Sequence, residues 1–163
     1  MNFLKTDKEL KASKEFDVRF SEVDSMGVVW HGSYMLYFED AREEFGRQFH
    51  LEYMHMSSQG FYAPLVDMEF HYRRPLLYEK RYRIDITYRP TLSAKIVFDY
   101  EIHDAETNDL MATGRSVQVF MDKDYQLVWT SPQFYEEWKK MWGFSQETML
   151  SAGPEESHRA ECQ

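Results

Sequence analysis

The sequence predicts an α+β domain in which one long helix is covered by a curved antiparallel sheet of about five strands, closed by a short C-terminal helix. Three observations carry this. Only one stretch, residues 34–45, repeats its apolar positions at helical spacing over several turns. After about residue 60 the period changes to two and stays there for four runs. The connections between those runs are short and turn-rich, as in an antiparallel meander, with no helix between strands to make them parallel.

The elements follow in order. Phe16, Val18 and Phe20 alternate with Asp17 and Arg19, which predicts a short first strand. After the turn segment SEVDSMG, the residues Tyr34, Tyr37, Phe38, Ala41 and Phe45 form one face of a helix opening near Gly32. Glu39, Asp40, Glu43, Glu44 and Arg47 form its solvated face. Val66, Met68, Phe70 and Tyr72 alternate with charged residues until Pro75, and Tyr82, Ile84, Ile86 and Tyr88 form a second such run. Ala94, Ile96, Phe98, Tyr100 and Ile102 form a third, and the polar loop DAETND leads into a fourth over 110–121. Ser131 and Pro132 fit the N-cap and first position of a last helix that presents Phe134, Trp138, Met141 and Trp142. A lone long helix must cover its apolar stripe, and a curved sheet does so in one pair of layers.

The 163 residues fit one domain, expected over 15–143, with a polar N-terminal segment at 1–14 and a disordered tail at 144–163. No apolar run is long enough to span a membrane, and the first fifteen residues hold no apolar secretory core. A single cysteine, Cys162, forms no internal disulfide and fits a reducing cytoplasm. The net charge of -9 argues against nucleic acid as a ligand. That sum hides its distribution: between Arg73 and Lys95 stand seven basic residues and two acids. These either line a solvated strand face with cross-strand ion pairs or bind phosphate.

Familiar metal and nucleotide motifs are absent, with no Gly-rich phosphate loop, HExxH or CxxC. His50 and His55 are five apart, a poor spacing for two ligands on one helix face, and are expected at the surface. The informative stretch is 20–43, FSEVDSMGVVWHGSYMLYFEDARE. Asp24 falls in a turn just before a helix opened by His31, Gly32 and Ser33. The unpaired amides of a helix start can bind a carbonyl oxygen that becomes anionic, and a nearby carboxylate can activate water or attack directly. The plainer reading of the same residues is an Asx turn at Asp24 and a helix cap at His31 or Ser33.

The segment resembles the signature of the 4-hydroxybenzoyl-CoA thioesterase branch of the hotdog-fold superfamily, and in particular its short-chain acyl-CoA thioesterases associated with the Tol–Pal system. Asp24, Gly27, Val28, Val29, Trp30, His31 and Tyr34 match the first motif, and Phe38, Glu39, Ala41 and Arg42 match the helix that follows. Met68, Phe70, Tyr72 and Pro75 resemble the next strand, so the likeness covers about residues 16–140. The resemblance implies a metal-free, cofactor-free hydrolase of acyl-CoA. Asp24 would be its nucleophile or general base, and the His31 amide its oxyanion donor, with the imidazole lining the same pocket. Phe20 departs from a tyrosine frequent in relatives, so that hydroxyl is lost.

The resemblance also implies a homodimer or homotetramer with the active site between subunits, and the short apolar runs predict no stable membrane insertion. Substrate contacts are then expected at Gly27, Val29, Tyr34 and Ser93, and for the CoA phosphates at Arg73, Arg74, Arg89 and Lys95. Tyr34, Tyr37, Phe61, Tyr62 and Met68 are possible acyl-pocket residues, with a core role the stronger expectation for each. Two rival functions fit the same fold: hydrolysis of acyl-acyl-carrier-protein, and non-catalytic acyl-CoA binding.

Overall fold

A computed structural model describes residues 8–145. Residues 1–7 and 146–163, parts of the expected terminal segments, lie outside the described residues, as does Cys162. In chain order the elements are β1 (Lys11–Asp17), α1 (Tyr34–Phe49), α2 (Tyr53–Ser58), β2 (Phe61–Tyr62), β3 (Leu65–Tyr72), β4 (Arg81–Tyr88), β5 (Lys95–Asp104), β6 (Leu110–Asp122), β7 (Leu127–Val128) and α3 (Gln133–Met141). Two 3₁₀ turns, Phe20–Glu22 and His31–Ser33, bracket the segment before α1.

The five long strands form one antiparallel sheet in the order β1-β4-β5-β6-β3, to which β2 and β7 add at the far end of β6. The expected meander exists only for β4, β5 and β6. β3 is not beside β4 but crosses to the opposite edge and pairs with β6, Tyr72 standing opposite Ala112. Alternation of side chains reports which face a residue takes, but not which strand is its neighbour.

α1 lies across the inner face of this sheet as expected, burying Tyr34, Tyr37, Phe38, Ala41 and Phe45, with Gly46 and Phe49 extending the stripe. Phe38 packs edge-on against Tyr100 at 4.5 Å, and Phe45 against Phe98 at 4.8 Å. The helix stops at His50, whose backbone is left-handed (φ 59°) and whose N–H bonds Gly46 O. Both histidines, His50 and His55, are exposed. The indoles of Trp138 and Trp142 donate to Phe49 O at 2.7 and 3.2 Å, which satisfies an orphan carbonyl of α1 and ties α3 to its end.

Several boundaries differ from those expected. β1 starts at Lys11 rather than near Phe16, because Lys11–Lys14 pair with Thr87–Ile84 despite their polarity. Phe20 has left the strand and is 76% exposed, since the chain turns into a 3₁₀ coil in which Arg19 N–H bonds the Glu22 carboxylate. Val66 points outward because the ladder shifts register between Leu65 and Asp67, leaving Leu65, Met68 and Phe70 as the partly buried set; Tyr72 is also half exposed. α3 begins one residue later than expected, with Pro132 at the cap position and no side-chain cap bond. It buries Tyr135 and Trp138 while Met141 stays exposed. Phe144, placed in the expected tail, is fully buried against Tyr88. The packed body therefore runs past both expected bounds.

The outer face of the sheet is where much of the basic segment goes. Arg81 pairs with Asp17, Arg83 with Asp85, and Arg89 with Asp99. Asp85 is buried on this face and is served by Ser13, Arg83, Lys11 and, more distantly, His103. Asp99 accepts from both Arg89 and Arg115. Burial pushes both carboxyls up, but their hydrogen bonds and neighbouring cations outweigh it and hold them below the usual range. Asp85, Glu101 and His103 converge closely enough to hold a cation, but the Asp85 carboxylate is already occupied by these donors.

Candidate active site

The segment between the two 3₁₀ turns is a tight hairpin. Val23 bridges Val29, Asp24 N–H bonds Val28 O at 2.9 Å, and Gly27 N–H returns to Asp24 O at 3.0 Å. Gly27 takes φ +76°, a conformation costly for any residue with a Cβ. Val28 bridges Leu77, and Val29 N–H bonds Leu76 O at 2.9 Å, so the β3–β4 link pins the hairpin to the body. Trp30 N–H bonds Glu22 O at 2.8 Å and closes the loop at the foot of α1.

Asp24 is half buried at the hairpin tip, and both sequence-based readings of it bear on the structure. Its Oδ1 accepts Met26 N–H at 2.8 Å, so the Asx turn is present. Its Oδ2 has no hydrogen-bond or ion-pair partner among the described residues. The turn thus fixes the carboxylate and leaves one oxygen open. Past the hairpin, the His31–Ser33 turn leads directly into α1. The amides of His31 and Gly32 have no partner among the described residues, as expected for the first positions of a helical turn. Gly32 cannot be replaced without displacement, because a Cβ there would collide with the indole of Trp30. The His31 ring is exposed and 4.9 Å from that indole, and His31 O faces the Tyr72 hydroxyl at 3.4 Å. Ser33 does not cap by side chain; its hydroxyl reaches Glu22 O at 3.5 Å.

Of the expected substrate contacts, Gly27 is exposed at the hairpin and Val29 is buried beneath it. Tyr34 is core: it is 3% exposed, lies edge-on to Tyr72 at 4.8 Å, and burial pushes its hydroxyl up to about 12. Tyr37 is equally enclosed, while Phe61 and Met68 are partly buried against the core. Tyr62 stacks on Tyr125 beneath the Lys123 ammonium.

The four phosphate-binding expectations, and the substrate contact expected at Ser93, fall in two places. Arg73 and Arg74 follow β3, at the end of the sheet that carries Leu76, Leu77 and the hairpin, and their amides bond Met111 O. Arg89, Ser93 and Lys95 lie near the start of β5. Lys95 is seven residues along β5 from Ile102, the level reached by Tyr72 through Ala112, or roughly 23 Å at the rise of a strand. One protomer therefore cannot close all four around one phosphate. The Arg89 guanidinium is also committed to Asp99 at 2.6 Å. Arg74 reaches Asp109 at 3.1 Å, but that pair is exposed and weak enough to exchange.

A separate cavity of about 650 Å³ runs beside the second half of α1, lined by Phe45, Leu51, Met56, Ala63, Leu65 and Phe98 among others. It does not include Asp24 or His31. Glu22, which no sequence motif singles out, is a buried carboxylate bonded to the Tyr37 hydroxyl at 2.6 Å. Its one visible signal was a second acid two residues before Asp24; nothing local pointed to a partner fifteen residues on.

A long helix in the curve of an antiparallel sheet, with an Asx-turn hairpin leading into its first turn, defines a hotdog-fold protein. Residues 18–139 match the Thioesterase-like superfamily, and the chain belongs to it. It is 27% identical to YneP of Bacillus subtilis, a proposed acyl-CoA thioesterase, over 69% of this chain and 81% of that one. The DHNA-CoA thioesterase of Staphylococcus aureus superposes with a TM-score of 0.71 at 25% identity, covering 80% of this chain and 90% of that chain. The 1,4-dihydroxy-2-naphthoyl-CoA thioesterase of Synechocystis shares the fold, with a TM-score of 0.69 at 23% identity over 78% of this chain and 94% of that one.

Proposed function

We propose that this protein is a cytoplasmic thioesterase that hydrolyses acyl-CoA to a free acid and CoA. Within the superfamily we assign it to the 4-hydroxybenzoyl-CoA thioesterase branch with the Tol–Pal-associated enzymes, on the run from Asp24 to Tyr34 and the Phe38-Glu39-Asp40-Ala41-Arg42 helix. The observation that carries the activity is the open Oδ2 of Asp24 in a hairpin leading straight into the unpaired amides of His31 and Gly32. With the thioester oxygen on those amides, attack at the carbonyl carbon puts negative charge where donors are fixed, each worth about 2.7–4 kcal/mol in the transition state.

Asp24 serves as the base that takes a proton from the attacking water, or attacks directly to form a mixed anhydride that water then opens. Either route breaks the C–S bond and releases CoA thiol, and neither needs a metal. A single turnover in ¹⁸O-water identifies an anhydride that water opens at the Asp24 carbon, because only that path leaves a carboxylate oxygen of Asp24 in the product and the label in Asp24. The His31 imidazole borders the reacting group and orients water or thioester. Arg73 and the exchangeable Arg74 are the phosphate contacts on the site's own protomer; Lys95 and Ser93 serve only from a partner.

The working unit is a homo-oligomer, each copy contributing as its domain the 15–143 body together with the paired start of β1 and the buried Phe144. Phe20, Met26, Trp30, Leu77 and Tyr78 are exposed around the hairpin, an apolar surface that a second copy would cover. Light scattering on the active protein tests this, and an active monomer contradicts it. A hydrolysis screen over short, long and aromatic acyl-CoAs, with acyl-acyl-carrier-protein alongside, tests the activity. Turnover of the CoA esters is expected. Binding without turnover sinks the enzymatic reading, and turnover of the carrier-protein donor alone reassigns the substrate.

A further inference from the structure

Glu22 is a carboxylate that the chemistry above does not use, yet it is 8% exposed and sits two residues before Asp24. A buried carboxylate costs free energy unless donors surround it. Here Oε2 accepts the Tyr37 hydroxyl at 2.6 Å and the Arg19 amide at 2.9 Å. The carbonyl oxygen of the same residue accepts Trp30 N–H at 2.8 Å and faces the Ser33 hydroxyl at 3.5 Å. These four donors come from the exit of β1, the end of the hairpin, the 3₁₀ turn and α1. A single residue therefore gathers every part of the segment that joins β1, the Asp24 hairpin and the start of α1.

Tyr37 is a firm anchor. It is 3% exposed, stacks on Phe16 at 4.2 Å and meets Tyr34 edge-on at 6.1 Å. Burial, and then the bond to Glu22, raise its ionisation so that it remains a donor. Among the described residues Asp24 has no side-chain bond to α1 of its own; its carboxylate bonds the Met26 amide within the hairpin. Where it stands relative to the start of α1 depends on what ties the hairpin down.

We propose that Glu22 is a positioning residue for the hydrolysis: through the Tyr37 hydroxyl and the Arg19 amide, its carboxylate fixes the hairpin bearing Asp24 against the start of α1. This rests on the assignment of Asp24 as the reacting carboxylate. Because one oxygen accepts both donors, a glutamine can replace the carboxylate, whereas alanine leaves both donors unpaired. A displacement of about 1 Å in a reacting group can cost on the order of 10²-fold in rate.

The test uses the full chain with Glu22→Ala, Glu22→Gln, Tyr37→Phe and Asp24→Asn, assayed well below each variant's melting temperature on the acyl-CoA that wild type turns over best. Glu22→Ala is expected to lower kcat roughly 10–100-fold with KM moved less than about threefold, the signature of lost alignment rather than lost binding. Glu22→Gln should restore kcat to within about threefold of wild type, and Tyr37→Phe should fall between the two. A folded Glu22→Ala with wild-type kcat overturns the proposal, as does a Glu22→Gln that falls as far as Glu22→Ala. If Glu22→Ala does not fold, the other pair decides: loss in Tyr37→Phe with retention in Glu22→Gln supports positioning, and wild-type kcat in Tyr37→Phe overturns it. Asp24→Asn separates the two claims. Full activity there sinks the assignment of Asp24 whatever Glu22 does, whereas an inactive Asp24→Asn beside a fully active Glu22→Ala sinks Glu22 alone.

Discussion

Phe45→Ala probes the contact on which the fold depends, the seating of α1 in the curve of the sheet. Phe45 is fully enclosed, with ring centroids 4.6 Å from Phe49 and 4.8 Å from Phe98, and at 6.4 Å from both Tyr88 and Trp138. Truncating a core phenylalanine to alanine costs about 3–5 kcal/mol. The two close ring partners add about 0.5–1.5 kcal/mol each beyond buried area, which favours the upper half of that range. Phe45 also borders the cavity beside α1, so the neighbours have no packed wall to collapse against and the void persists. A loss of about 4 kcal/mol lowers the melting temperature of a chain this size by roughly 8–16 °C. Urea unfolding followed by tryptophan fluorescence reads it as a lower midpoint at unchanged slope. The site should not notice: Phe45 lies eleven residues from Tyr34, or ~16 Å along the helix. A loss below about 1.5 kcal/mol would refute the packing argument, and a folded variant without activity would refute the location of the site.

Other expectations are local. Gly114→Ala places a Cβ 3.0 Å from both Glu69 O and Phe38 Cζ, an overpacking that costs about 1–3 kcal/mol in urea unfolding. On the acid side, Lys80 and the amides of Glu106 and Thr107 hold the Asp104 carboxyl down to about 2, and Asp85 and Asp99 are also lowered. A depressed carboxyl contributes stability above its unfolded value near 4 that is lost as pH falls towards the folded one, so stability should drop between about pH 4 and 2, less steeply in Asp104→Asn. On the alkaline side, folded Tyr34 keeps its proton to about 12, so stability is lost as pH rises from 10 towards that value, and Tyr34→Phe removes this component of the loss. Arg73→Ala should raise KM for acyl-CoA several-fold, an effect that shrinks with added salt, while Arg89→Ala, losing its bond to Asp99, should leave KM unchanged.

The helix face and the strand faces were legible because burial imposes a period: Tyr34 to Phe45 at helical spacing, and Tyr82 to Tyr88 in alternation, are all buried. Neighbour relations were not. Nothing in β3 says that it pairs with β6 rather than β4, and the register shift at Val66 turns a β-branched residue to solvent without a local mark. Charge was ambiguous for the same reason. Arg81, Arg83 and Arg89 read as a basic face until the strand order sets Asp17 and Asp99 beside two of them. At the site, the turn and the helix start were visible from Asp24 to Ser33, because Asp, Gly and a following helical period are local signals. The Glu22–Tyr37 bond was not, since it joins a loop to a helix face through a tertiary contact.

The most direct measurement is kcat of Asp24→Asn beside wild type on one acyl-CoA, with both proteins shown to be folded. Asparagine keeps the Asx acceptor for Met26 N–H and removes only the charge and the basicity. A fall of at least about 10²-fold at unchanged stability is the expected result. Full activity in the folded variant would contradict the claim that the open oxygen of Asp24 drives the hydrolysis.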